Sequence, residues 1–383
     1  MAISARILSS RDDVLSFIGC FVFVGYHFFE PNSIMRILYI TRANLCLRRA
    51  HSHNILATSA LLGSISGVDI SVISSGKQTC LPEELFMRHD IQIKVPYTRS
   101  HWLSGFIFRS RNNFDALYVR DPRLIIEMIL ARMLGKKVIF EIHGSREWKG
   151  LSWLWRFAHR IAHAHIFITT LLKKYYGACQ KPCAIIPTVG IDQEKYDNAK
   201  SRRIFEQGFV ALYLGSQESY YDVAILVRML ARAPKQVVLV LVGIKDDGAR
   251  DLKKIADELN VSDRVKIIAR IDPSEIPAYL KGADVLLNPK VKGFEGSVSS
   301  KLIEYLAASR PIVASVVPAD HEVLTEKNAI IVNPDPEAFA SAIRGLIENS
   351  KKREELSGFA HTDAERYSNE RRRALLEEFI KKI

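Results

Sequence analysis

A chain of 383 residues, 25% charged and 48% hydrophobic, is too long for one ordinary core and has a soluble globular balance, which predicts two domains and excludes a disordered or fibrous chain. Its formal charge of +12 lies wholly in the first half: up to Gly190 there are 24 Lys and Arg against 12 Asp and Glu, and after it 30 of each. Such asymmetry aims the first half at something anionic, and without a helix-turn-helix, zinc-finger or RNA-binding signature this reads as a membrane surface or an anionic acceptor, with no nucleic acid.

Residues 1–34 read as an extension. Val14 to Phe29 is an apolar run of 16 residues, short of the ~20 that span a bilayer. Asp12 and Asp13 precede it, where a secretory signal would carry cations. Met35-Arg-Ile-Leu-Tyr-Ile40 opens a strand, so Met35 reads as the natural start, with a weak membrane anchor as the alternative.

From there strand-like runs fall at Arg36–Thr41, Asp69–Ser74, Ile91–Val95, Ala116–Arg120, Lys137–Ile142, His165–Thr169 and Ala184–Ile186. Helical runs such as Pro122–Leu134 separate many of them. A second series follows the polar stretch Asp192–Gln207: Phe209–Leu214, Val237–Val242, Val265–Ile268, Val285–Asn288, Ile312–Ser315 and Ala329–Val332. This alternation predicts an α/β chain with two parallel sheets. The linker falls near Thr188–Gln207 and divides residues 35–190 from 191–362. A charged amphipathic helix over Asp363–Ile383 closes the chain.

The five cysteines, Cys20, Cys46, Cys80, Cys179 and Cys183, are scattered and odd in number. Cys179 and Cys183 lie close, but no second pair or nearby His completes a zinc site. The pattern predicts reduced, cytosolic thiols without a disulfide framework.

Arg42-Ala-Asn-Leu-Cys-Leu-Arg-Arg-Ala-His-Ser-His-Asn54 follows the first strand and contains no G-x-G-x-x-G, which argues against a dinucleotide dehydrogenase. Glu141-Ile-His143-Gly144 ends a buried strand, the place where ligands of open α/β sheets bind. Arg99–Arg111 and Arg146–Phe157 mix cations with aromatics, and the second holds Trp148, Trp153 and Trp155. That mix suits a lipid interface, and equally a domain core.

The most informative stretch is Ser299-Ser-Lys-Leu-Ile-Glu-Tyr-Leu-Ala-Ala-Ser-Arg-Pro-Ile-Val313. Two hydroxyls stand where a helix begins, and free N–H groups there make an anion site. Lys301 adds a charge, and Glu304, one turn on, can accept hydrogen bonds from a sugar diol. On chemistry alone an ordinary capped helix is the competing reading.

The stretch resembles the donor-site motif of family 4 glycosyltransferases, retaining enzymes of the GT-B fold. The resemblance runs from Met35 to the end of the chain. It implies a fold of two Rossmann-like domains with parallel sheets facing across a cleft and a C-terminal helix crossing back. It places Glu304 on the donor ribose and Ser299, Ser300 and Lys301 on its phosphates. Gly215 and Ser216, at the end of the first strand of the second series, would lie on the phosphate side. Gly243, Arg270 and Ile271 would lie at the nucleobase side. His143 is similar to the family's cleft histidine, which contacts the transferred sugar, so His143 and Glu304 are the candidate catalytic pair. Arg48, Arg49, His51 and Asn54 sit in a loop similar to the family's first cleft loop and are acceptor-side candidates with Arg120. Three departures stand out. Glu295 and Gly296 fall where many members carry a further Glu, Ser309 replaces a Gly, and Gln217–Asp222 lacks the usual Arg and Lys-Gly. Lys290, Lys292 and Lys301 are the nearest replacements.

The resemblance thus implies a retaining glycosyltransferase that moves a sugar from a nucleotide-diphosphate sugar to a glycan or lipid-linked acceptor. It implies no cofactor and no metal, while the basic first half, the Trp and cation segments and the scattered cysteines point to a cytoplasmic enzyme peripheral on an anionic membrane surface. The alternatives are a catalytically degenerate member that binds a nucleotide sugar or a partner, and a GT-B epimerase.

Overall fold

The computed structural model describes residues 35–47, 50–77, 80, 84–89, 91, 95–143, 152–177, 180–291 and 298–383. The extension 1–34, Arg48, Arg49, Gly144, Arg146, Trp148, Lys149, Lys292, Glu295 and Gly296 lie outside these residues.

The first sheet has seven strands in the order β3-β2-β1-β4-β5-β6-β7. They are β1 (Met35–Thr41), β2 (Val68–Ser74), β3 (Tyr97–Arg99), β4 (Ala116–Val119), β5 (Lys137–Ile142), β6 (Ala164–Phe167) and β7 (Cys183–Ile185). The second has six, in the order β10-β9-β8-β11-β12-β13. These are β8 (Phe209–Leu214), β9 (Val237–Val242), β10 (Val265–Ile268), β11 (Val285–Pro289), β12 (Ile312–Ser315) and β13 (Ile330–Ile331). Every pairing between them is parallel.

Parallel strands are covered by helices on both faces, so they read as continuous apolar runs. All six residues of β9 are buried. Side chains alternate between faces. Val210, Leu212 and Leu214 of β8 enter one core, and Ala211 and Tyr213 enter the other. The chain order reverses between β1 and β4 and between β8 and β11. Crevices for ligands open beyond the strand ends at such switch points.

The helices used below are α1 (Ala50–Gly63), α2 (Leu103–Arg109), α3 (Ile125–Met133), α4 (Ser152–Ile161), α5 (Thr170–Tyr176), α6 (Ser300–Ala307) and α7 (Asn369–Lys381). The terminal helix is shorter than expected. Residues up to Ala364 end a preceding helix, and Ser368 caps α7 by accepting from Arg371 N. α7 does cross back: Leu376, Phe379 and Ile380 enter a core cluster of the first sheet. The crossing is pinned where Ile191 N donates to Tyr367 O and Asn369 N to Ile191 O.

The third strand of the sheet is Tyr97–Arg99. Of the expected strand Ile91–Val95, residues 92–94 lie outside the described residues, Ile91 and Val95 pack against the core, and Val72 N bonds to Pro96 O. One further expectation is corrected. The reduced-thiol reading fails at Cys46–Cys80, which form a disulfide. The two residues are 34 apart in sequence, but they follow adjacent strands and meet with Cα atoms 5.6 Å apart. Among the described residues, no helix is long and apolar enough to cross a membrane.

Candidate active site

A cavity of about 1000 Å³ opens between the two sheets. Its first-domain wall carries His51, Asn54, Arg120 and His143, and its second-domain wall carries Tyr221, Lys290, Ser299 and Ser300. Thr188 of the linker and Arg366 and Arg371 of the crossing segment complete it. Six of the sequence candidates thus meet in one place, although they come from both halves of the chain.

His51 and Asn54 are in the first turns of α1, after β1. Arg120 follows β4 and His143 follows β5. Behind them lies a buried polar cluster. Glu141, 1% exposed, accepts from Tyr118 Oη at 2.6 Å and from His143 Nε2 at 2.7 Å. Arg120 Nε stands 3.7 Å from Glu141 Oε2, and Arg120 Nη2 lies 3.0 Å from His143 Nδ1. Thr188 Oγ1 is 3.3 Å from the same Nδ1. Burial, then Arg120, pushes His143 down to about 4 against the pull of Glu141. His51 is likewise lowered to about 4 by burial, Arg120 and His143. Both imidazoles are therefore neutral at neutral pH. Burial alone would raise Glu141, but Arg120, His143 and Arg372 outweigh it and hold the carboxyl below its ordinary value. At neutral pH the cluster is a carboxylate with guanidiniums around it and a neutral imidazole at its rim. Of this cluster, sequence reasoning missed Glu141 and Arg372.

The second half of the site surrounds the start of α6. Ser299 precedes it, but its hydroxyl does not cap the helix. Tyr221 Oη holds that hydroxyl at 2.7 Å, and Ser299 N donates to Asp320 Oδ1. Lys290 Nζ also donates to Asp320 Oδ1, at 3.2 Å, so this cation is tied to a buried carboxylate rather than displayed at the turn after β8. Lys301 is differently placed. Its Nζ stands 3.6 Å from the ring centre of Tyr221 and 4.1 Å from that of Tyr213, and it donates to Tyr213 Oη at 2.9 Å.

Gly215, which follows β8, has φ +138, and a Cβ there would lie 2.7 Å from Lys301 Nζ. Only glycine allows this backbone and this approach. The turn that lacks the expected Arg and Lys-Gly therefore has a cation against it, delivered from α6. Gly243, with φ +93, packs against Gly215 O. Ser216 Oγ donates to Glu218. Gly215, Ser216, Gly243, Arg270 and Ile271 all follow strand ends on one edge of the second sheet, but none lines the large cavity.

Lys301 and Glu304 lie three residues apart, on one face of α6. Both are half-buried. Among the described residues, no side chain or backbone group hydrogen-bonds the Glu304 carboxyl. Burial raises it to about 7, with Lys301 pulling the other way. Burial also holds the Lys301 ammonium well below its ordinary range. Lys301 thus has the Tyr213 hydroxyl and two rings around it, while the Glu304 carboxyl has no hydrogen-bond partner among the described residues.

The two domains also touch directly. The Glu322 carboxylate accepts from Thr170 N and Leu171 N at 2.8 Å each, the first N–H groups of α5.

Residues 194–362 match the family described as "Glycosyl transferases group 1". That match covers the second sheet and its helices. The chain is 31% identical over 110 residues to the O-antigen chain mannosyltransferase RfbU of Salmonella typhimurium, covering 28% of this chain and 30% of that protein. It is 26% identical over 213 residues to a D-inositol 3-phosphate glycosyltransferase of Xylanimonas cellulosilytica, covering 51% and 50%. It therefore spans only a third to a half of the curated relatives' length. Over the whole fold it superposes on Anabaena HepE in complex with UDP, with TM-score 0.75 and 16% identity over 91% of this chain and 100% of that one. A glycosyltransferase from Rickettsia africae superposes with TM-score 0.74 and 15% identity over 91% and 98%. The fold is GT-B. The start of α6 reaches the cavity through Ser300 and Ile303, whereas Lys301 and Glu304 do not line it.

Proposed function

We propose that this chain is a retaining glycosyltransferase that moves a sugar from a nucleotide-diphosphate sugar to a glycan or lipid-linked acceptor, without a metal. One observation carries the reading: Lys301 Nζ stands against the Gly215 turn, and Glu304, on the same face of α6, has no hydrogen-bond partner among the described residues. Glu304 accepts from the ribose diol. Lys301 and the N–H groups at the start of α6 stabilise the diphosphate as it departs, where the transition state gathers negative charge. His143 meets the sugar, and the acceptor enters past His51, Asn54 and Arg120. Retention rests on the Lys-x-x-Glu resemblance.

The degenerate alternative draws on Gln217–Asp222, and the placement of Lys301 weighs against it. Incubation with a panel including UDP-glucose and GDP-mannose separates the two. Release of nucleoside diphosphate, with the α-anomer retained in the product by NMR, is the expected result. Thermal stabilisation by a donor without release would favour the binding protein.

The acceptor reading extends to an anionic membrane. α2, α3 and α4 pack side by side in the basic half. They expose Phe108 (52%), Ile126 (65%), Met133 (80%) and Trp153 (59%), with Trp102 just before α2. Arg111 lies over Phe108, and Arg156 and Arg160 share α4 with Trp153. Trp155 takes the other of the two readings: it is buried against Phe140 and belongs to the core. Apolar patches rimmed by cations suit a lipid interface. Each cation near an anionic bilayer contributes about 1 kcal/mol, which salt screens. Sedimentation with anionic but not neutral vesicles is expected, weakened by salt. Trp153→Ser should reduce the salt-resistant part, whereas Trp155→Ser should unsettle the fold. No sedimentation with either vesicle would point to a soluble acceptor.

A further inference from the structure

The cluster behind His143 fixes more than the place of the ring. Glu141 and His143 are two residues apart along one strand direction, so their side chains share a face. Glu141 Oε1 stands 2.7 Å from His143 Nε2. An ionised carboxylate only accepts, so Nε2 carries the proton. At Nδ1 the nearest group is Arg120 Nη2, 3.0 Å away. A guanidinium only donates, so Nδ1 must offer a lone pair. Two partners from different strands thus demand the same tautomer. Tyr118 Oη holds the other oxygen of Glu141 at 2.6 Å, so the carboxylate itself cannot swing away.

We propose that Glu141 is a positioning residue that keeps His143 in the Nε2–H form, so that its Nδ1 accepts a hydroxyl hydrogen of the transferred sugar. This rests on the reading of His143 as the sugar contact. The remaining neighbour of Nδ1 is Thr188 Oγ1, at a longer 3.3 Å. Thr188, Arg120 and His143 all line the cavity. Nδ1 has a single lone pair, which Arg120 Nη2 takes, so a sugar hydroxyl that enters there donates to Nδ1 in place of Arg120 and Thr188, and the Arg120 guanidinium stays beside Glu141. The site therefore recognises a donating hydroxyl, and a sugar with fluorine at that carbon loses the bond. The charged and titratable groups around the ring are Arg120, Glu141, His51 and Arg372, with Tyr39 and Tyr118 behind them.

The test uses the full chain labelled with 15N-histidine. Long-range proton–nitrogen correlations report each ring's tautomer, and the His143 signals are identified by their loss in His143→Asn. The wild type should show the Nε2–H form. In Glu141→Gln an amide replaces one of the two accepting oxygens and only Arg120 still favours the Nε2–H form, so the ring should move to a mixture. Turnover of the nucleotide sugar chosen by the panel should fall about 10–100-fold, in the range seen when a group orienting a functional histidine is removed. KM for that donor should change less than about threefold, because the ribose and diphosphate that hold most of the donor lie away from His143. Thr188→Val should leave the tautomer as it is. An Nδ1–H or mixed ring in the wild type overturns the proposal, and that measurement stands even if Glu141→Gln fails to fold. An unchanged tautomer and turnover in Glu141→Gln also overturns it. Full turnover in His143→Ala would remove the sugar contact itself, leaving the tautomer result intact and so distinguishing the two failures.

Discussion

Glu304→Ala is expected to weaken nucleotide-sugar binding by about 1.5–3 kcal/mol, roughly 10- to 150-fold in Kd, because charge-assisted hydrogen bonds to the ribose diol are lost. Calorimetry with UDP and UDP-glucose measures this, and an unchanged affinity would remove the ribose role. The same carboxyl predicts a pH dependence whose sign is fixed. Burial raises Glu304 to about 7. Below that pH the free protein holds a proton that must leave before the carboxylate accepts from the diol. Donor affinity should therefore fall as pH drops through about 7, and binding near pH 7 should release protons. Calorimetry in buffers of different ionisation enthalpy reads that release. In Glu304→Gln it should vanish. For stability the sign is opposite: the folded chain binds this proton more tightly than the unfolded one, so the raised value costs stability as pH climbs toward 7 and above. A bound donor offsets that cost by giving the carboxylate its partners.

The interior strands were legible because their burial on both faces leaves an apolar run, as in Val237–Val242. The edge strand Tyr97–Arg99 was not, because a half-exposed strand of three residues has no such signature. In the site, Lys301 and Glu304 could be paired from spacing, since residues three apart share a helix face. Trp153 and Trp155 are two apart and cannot both face outward on one helix, and the structure buries the second. Glu141 could have been found by the same alternation that places it beside His143. The cation at Gly215 could not, because Lys301 reaches it from 86 positions along the chain, as the numbering shows. Nor could the Cys46–Cys80 pair, whose meeting depends on the order of β1 and β2 in the sheet.

Arg372→Leu is expected to be the most destabilising single change on α7. Arg372 is 2% exposed, and the bonds it makes bridge remote parts of the chain. Its Nε donates to Pro187 O at 2.7 Å and its Nη2 to Thr58 Oγ1 at 2.8 Å, across 314 residues. It also helps hold Glu141 ionised. Leucine would fill part of the space but leave the partly buried Pro187 carbonyl and the buried Thr58 hydroxyl without this donor, and one cation fewer around a buried carboxylate. Removing one partner from a buried charged cluster typically costs about 3–5 kcal/mol. Arg373 is the control: it is exposed and makes one bond, to Ser64 O. Arg373→Leu should cost less than about 1.5 kcal/mol. Urea unfolding compares the two. Because α7 reaches the first domain only after the second is complete, the loss should appear first as release of the C-terminal helix, read as faster proteolysis between Ala364 and Asn369. A cost below that of the control would mean that the apolar contacts of Leu376, Phe379 and Ile380 hold the crossing helix alone. Intact protease resistance alongside a full loss of stability would place the damage in the Glu141 cluster rather than in the docking of α7.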